Sequence, residues 1–168
     1  MNPRAFCICI ALLSATSQAG ANDSSLDRST LRGLSAFSLA VDTPDQELQD
    51  RGLTSAAIQT ELEQKLLKAG ISIDKSANEF LGVRITAAHA KRGDFAVSIT
   101  LSVYQGVSLR RDPTIVSATP TWSAESVLLV PPRQLNDAWT DTVDQLADQF
   151  ITAWRAANPS PKSKDPVP

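Results

Sequence analysis

Residues 81–104 carry the plainest alternation in the chain. Leu81, Val83, Ile85 and Ala87 alternate with Gly82, Arg84 and Thr86, and Phe95, Val97, Ile99, Leu101 and Val103 alternate with Ala96, Ser98, Thr100, Ser102 and Tyr104. A period of two puts one set on each face of extended chain, so both runs are predicted as half-buried strands. Lys91-Arg92-Gly93-Asp94 between them is turn chemistry. Leu31 to Val41, with Phe37, Leu39 and Val41 in phase, reads as an earlier strand that stops at Thr43-Pro44-Asp45, followed by a polar stretch to Gly52. Ile115 to Val130 reads as a fourth strand after the turn Arg110-Arg111-Asp112-Pro113. Its phase changes near Pro120, which predicts an irregular middle; Gly106 marks a bulge or bend, and Pro131-Pro132 ends the strand.

Two stretches switch to helical spacing. From about Ser55 to Ala69, Ile58, Leu62, Leu66 and Ala69 fall on one face. Thr54 or Ser55 can cap the start, Glu61 and Lys65 stand in the favourable i, i+4 order, and Gly70 suits the left-handed residue that closes a helix. From about Leu135 to Ala157, Leu135, Trp139, Val143, Leu146, Phe150 and Trp154 trace a broad stripe, with Asp137, Asp141, Asp144 and Asp148 opposite. "AGISI" between the first helix and the second strand returns to extended chain.

The predicted order is β-α-β-β-β-α. Each helix has one apolar face, and so does the sheet. The economical arrangement is an α+β domain: a four-stranded, mostly antiparallel sheet with two helices packed on one face. The β-α-β start allows one parallel crossover. The domain is expected to occupy residues 31–157, after a flexible lead-in at 20–30 and before a disordered tail at 158–168.

Residues 1–19 read as a signal peptide. Arg4 supplies a positive start, Ala5 to Leu13 an uncharged apolar run, and Ser17-Gln18-Ala19 the small residues before a cut. A run of about nine residues falls well short of the roughly 20 a spanning helix needs, so no stable membrane insertion is expected. Both cysteines, Cys7 and Cys9, lie inside this run. After cleavage the chain would hold no thiol, which removes disulfides, thiolate nucleophiles and cysteine-ligated zinc together. The formal net charge is −2 and becomes one unit more negative once Arg4 is lost. That mildly acidic balance argues against nucleic acid and anionic lipid as partners.

Candidate chemistry thins out on inspection. His89, the one histidine, stands near a strand end with no local nucleophile or orienting acid, and reads as a residue packed or hydrogen-bonded at the rim of the core. The four helix aspartates form an outward row, whereas calcium favours a wrapping loop; they read as a solvated face. Arg92-Gly93-Asp94 spells an adhesive tripeptide but is also ordinary turn sequence. No phosphate loop, dinucleotide fingerprint, zinc-protease motif or nucleophile elbow occurs. The expectation is no catalytic residue, no cofactor and no metal ligand. Carboxylate-only hydrolysis needs just two acids, yet no sequestered pair stands out.

With both helices on the apolar side, the other sheet face is left bare. The candidate contact surface is therefore Ser98, Thr100, Ser102 and Tyr104, together with Trp122, which either joins this surface or packs across the kink beside Pro120.

The blocks "LRGL" (31–34), "GLTSAAIQTELEQKLLKAGI" (52–71), "LGVRI" (81–85), "VSITLSVYQGVSLRRDP" (97–113), "TPTWSAES" (119–126) and "VDQLADQFITAWRAANP" (143–159), in this order, resemble a widespread group of small, exported bacterial proteins. The resemblance spans nearly all of the chain beyond the signal and implies a periplasmic setting; it brings no catalytic residue. The β-α-β-β-β-α order is more distantly similar to domains of the lipopolysaccharide-assembly lipoprotein, some secretin pilots and transporter auxiliary proteins. Many of those carry a lipid on a leading cysteine, which this sequence lacks after its small-residue site. The functional expectation is a soluble periplasmic accessory or binding module that contacts another envelope protein, the alternative being a small-ligand carrier or enzyme inhibitor with a cavity between helices and sheet.

Overall fold

A computed structural model describes residues 23–90 and 93–159. The expected signal peptide, the Lys91-Arg92 half of the expected turn and the tail beyond Pro159 lie outside the described residues. In chain order the elements are α1 (Ser25–Ser29), β1 (Ala36–Val41), α2 (Gln46–Gln49), α3 (Ser55–Lys68), β2 (Ser72–Ile73), β3 (Phe80–His89), β4 (Phe95–Leu109), β5 (Asp112–Val130), a 3-10 turn (Pro132–Gln134) and α4 (Leu135–Ala157).

The class is α+β, but the sheet has five strands rather than four and is mixed rather than mostly antiparallel, in the order β2-β1-β3-β4-β5. β1 runs parallel to both neighbours, while β3/β4 and β4/β5 are antiparallel. The extra strand is the two-residue β2 inside "AGISI". It pairs with the first half of β1 (Ala36 with Ser72), and β3 pairs with the second half from the other side (Ser38 with Phe80). Residues 74–79 make the crossing, pinned where the Asp74 N–H donates to Phe37 O (2.9 Å) and the Ser38 N–H to Glu79 O (3.0 Å).

Four helices are described rather than two, because two short ones sit where loop was expected. α1 lies in the stretch read as a flexible lead-in. Ser24 and Asp27 close a reciprocal capping box, and the Arg28 guanidinium grips Asp23 through Nε (2.7 Å) and Nη2 (2.6 Å). Leu31 to Gly33 then turn instead of starting a strand, with Gly33 at φ +79°.

The two long helices follow the sequence pattern closely. Thr54 Oγ1 accepts from the Ala57 N–H (3.1 Å) at the start of α3. At its end, Gly70 adopts φ +78° and the Ile71 N–H closes back onto Leu66 O (3.0 Å). Ile58, Leu62 and Leu66 of α3 are buried, as are Trp139, Val143, Leu146 and Phe150 of α4. On β3 and β4 the buried apolar set is Leu81, Val83, Ile85, Phe95, Val97, Ile99, Leu101 and Val103, so the helices cover the face with the apolar period. Phe150 is central: its ring meets Phe37 at 5.4 Å and 84°, and Trp122 at 5.4 Å and 60°, both edge-on geometries that aromatic rings favour. These three fully buried rings occupy the layer where a ligand carrier would need its cavity.

Asn158 ties the end of α4 to the start of the domain. Its Nδ2 donates to Leu31 O (2.8 Å) and Trp154 O (3.0 Å), its Oδ1 accepts from the Gly33 N–H (2.7 Å), and Trp154 Nε1 donates to Leu34 O (2.7 Å).

Candidate functional site

The face of the sheet away from the helices is built in cross-strand rows, set by the β3/β4/β5 register. From one end they are Ala88-Ala96-Leu129, Thr86-Ser98-Val127, Arg84-Thr100-Glu125, Gly82-Ser102-Ser123 and Phe80-Tyr104-Pro120. Most of these side chains are small and uncharged, so the surface is flat. The middle row carries its charge: Arg84 Nε donates to Asp42 Oδ2 (3.2 Å) and Ser98 Oγ to Glu125 Oε1 (2.7 Å).

Of the five expected contact residues, Ser98, Thr100 and Tyr104 lie on this face and are half-buried. Ser102 lies on it too but is only 5% exposed. It stands opposite Gly82, and the Tyr104 ring folds over that glycine to stack on Phe80 at 4.6 Å and 7°. A Cβ at residue 82 would stand 3.0 Å from Tyr104 Cε2, so any side chain there would make the ring shift. Ser102 thus lies in a row bordered by rings rather than in the open.

Trp122 is a correction. It is 1% exposed and belongs to the core, with Nε1 donating to Asp23 Oδ1 (2.9 Å). The phase change near Pro120 is a β-bulge: Val103 pairs with Trp122 but Tyr104 pairs with Pro120, leaving Thr121 as the extra residue. Trp122 lies on the regular side of this bulge, in phase with buried Ala124 and Val130, and so faces the helices. Gly106, expected at the irregularity, pairs regularly with Ala118, and a second shift falls between Ser108 and Leu109. Asp23 is held below the usual carboxylate range, chiefly by the Arg28 hydrogen bond; burial opposes this, and the Trp122 N–H and the Arg28 charge add to it.

Beyond Tyr104, β4 has no β3 neighbour, and Gln105 to Leu109 pair with β5 alone as a two-stranded arm. The arm exposes Ile115 and Val116, and nothing in the sequence pattern flagged its independence from the rest of the sheet.

The remaining polar groups are dispersed. His89 Nε2 lies 2.9 Å from Glu47 Oε2, with its ring 4.9 Å from Phe95, so it is a rim residue meeting one acid. Lys65 does not bond its helix neighbour Glu61 but crosses to α4, between Asp144 (3.1 Å) and Asp148 (3.0 Å). Burial works against the Lys65 charge, and the two carboxylates outweigh it, holding the ammonium above the ordinary lysine range. Two of the four aspartates read as a solvated row therefore bridge the helices. This bridge lies in a solvent-open groove of about 400 Å³ between α3 and α4, also bordered by Lys68 and Arg155. Among the described residues no three histidine, cysteine or acidic side chains converge as metal ligands, and no helix is long and apolar enough to cross a membrane.

No protein-family model matches the chain, and no curated protein does. Among solved structures it is similar to a minor lipoprotein from Acinetobacter baumannii, with 14% identity, 73% of this chain and 92% of that one covered, and a TM-score of 0.38. It is also similar to a PelC dodecamer from Paraburkholderia phytofirmans, with 16% identity, 69% and 87% covered, and a TM-score of 0.43. Both scores are below 0.5, and the functional reading rests on this chain's own geometry.

Proposed function

We propose that this protein is a soluble periplasmic accessory module that acts by contact with another protein of the bacterial cell envelope, with no catalysis of its own. The observation that carries the reading is the bare sheet face: its central rows are mostly small and polar, and no described element lies over them. An antiparallel sheet tolerates water on one side, and a flat face with an open edge is also a surface on which partners dock by packing or strand addition. The periplasmic setting is supported by the Arg4, Ala5–Leu13 and Ser17-Gln18-Ala19 pattern.

A photo-crosslinking residue at Thr100 in cells that export the protein tests this, with the same residue at exposed Gln145 of α4 as control. The expected result is a periplasmic adduct to a different protein from Thr100 and none from Gln145. No adduct at Thr100, or equal adducts at both positions, would count against it, as would recovery of the protein in the cytoplasmic fraction.

A further inference from the structure

β5 is a long edge strand, and among the described residues none of its backbone N–H groups bonds outside the sheet except through its own turn side chain, Asp112. The middle of that edge is tended: Thr30 Oγ1 donates to Thr121 O (3.2 Å). Its C-terminal end, Ser126 to Val130, has no described neighbour outward. Natural edges are usually guarded by charge or proline along their length. Here Ser126-Val127-Leu128-Leu129-Val130 is uncharged, and Val127 and Leu129 are 66% and 68% exposed on the open face. Charges stand only at its two ends, Glu125 before it and exposed Arg133 after it.

We infer that this segment pairs with itself: β5 of one copy adds antiparallel to β5 of a second copy about a two-fold axis at Leu128, joining two five-stranded sheets into one of ten. The occupant follows from the pattern. In this register Val127 of each copy faces Leu129 of the other on the open face, so four exposed apolar side chains cover one another. Glu125 falls opposite Pro131 of the second copy, with Arg133 in the 3-10 turn just beyond it, at both ends. Parallel pairing would instead set Glu125 beside Glu125 and Arg133 beside Arg133. The contact is isologous and closes at two, and Pro131-Pro132 limits it to five residues a side. Such a contact is smaller than the roughly 1,200 Å² of a stable interface, so the dimer is weak, with dissociation in the micromolar range or above. It touches the Arg84 row only at Glu125, leaves the rows from Gly82 to Tyr104 free, and does not depend on the partner reading given above.

Sedimentation equilibrium from about 10 μM to 1 mM, a span of about 2.7 kcal/mol in association free energy, tests it on the exported chain with the N-terminus the cell leaves. The wild type should show a concentration-dependent monomer–dimer equilibrium. Val127→Lys with Leu129→Lys should weaken it at least about tenfold, as lysine does on natural edges, without lowering the melting temperature. Ile115→Lys with Val116→Lys, on the arm, should leave it unchanged. Glu125→Arg should weaken dimerisation and added Arg133→Glu should restore it. A monomer throughout the range, a dimer indifferent to the Val127/Leu129 change, a dimer lost with the arm variant, or failure of the charge swap to rescue would each overturn the inference.

Discussion

Trp122→Ala separates a core tryptophan from a surface one by magnitude. The side chain is 1% exposed, meets the Phe150 ring edge-on and donates to Asp23 Oδ1. Truncating a buried tryptophan costs about 3–5 kcal/mol, from lost transfer free energy and the cavity left behind. That is a large share of the ~5–15 kcal/mol that holds a domain folded. With about 3 °C per kcal/mol for a domain of this size, the melting temperature should fall by about 9–15 °C. Trp122→Phe keeps the edge contact and loses only the N–H donor and some volume, so about 1–3 kcal/mol is expected. A double-mutant cycle with Phe150→Leu should return a coupling of about 0.5–1.5 kcal/mol for the aromatic pair. Urea unfolding followed by circular dichroism reads all three, provided the denaturant slope is unchanged. A loss under about 0.5 kcal/mol for Trp122→Ala, the usual size of a surface substitution, would refute the packing described above.

Other consequences follow from single contacts. Because Asp23 titrates below its unfolded value, its contribution is present above the ordinary carboxylate pKa and is lost as pH falls through the folded one. Asp23→Asn should therefore be less stable at neutral pH, with the gap to wild type closing below about pH 4 in melts run across pH. Thr54→Ala removes the cap of α3 and should cost about 1 kcal/mol in urea unfolding. Asn158→Ala breaks the three hydrogen bonds joining α4 to residues 31–33 and to Trp154; about 1–3 kcal/mol is expected, with faster amide exchange in α1 by mass spectrometry.

The readable parts of this fold are those where burial has a period. β3 and β4 each bury one face over many residues, and α3 and α4 each bury one stripe, so their extents agree with the pattern to within a few residues. Elements held by partners rather than period were missed. β2 has two residues, too few to alternate. α1 and α2 have five and four, and such short helices depend on caps and contacts; for α1 the Ser24-x-x-Asp27 spacing was a usable signal. The candidate surface was legible as a face but not residue by residue. Ser102 is buried because Tyr104 leans across Gly82, a cross-strand event. Trp122 turns inward because it stays in phase with Ala124 and Val130, while the residue inserted at Thr121 shifts the strand before it; the sequence offered only a phase change near Pro120. Lys65 chose Asp144 and Asp148 on another helix over Glu61 on its own, a choice that depends on tertiary distance.

Helices seal one side of the sheet and, among the described residues, nothing covers the other; cysteine accessibility distinguishes this arrangement from a sheet covered on both faces. With Cys7 and Cys9 replaced by serine, single cysteines are placed at Ile85, Thr86, Ser98 and Ile99, and maleimide labelling rates are measured on the folded protein. Thr86→Cys and Ser98→Cys should label readily, while Ile85→Cys and Ile99→Cys should label only as the domain unfolds. Equal protection at all four positions would mean that both faces are covered, contradicting a sheet open on one side.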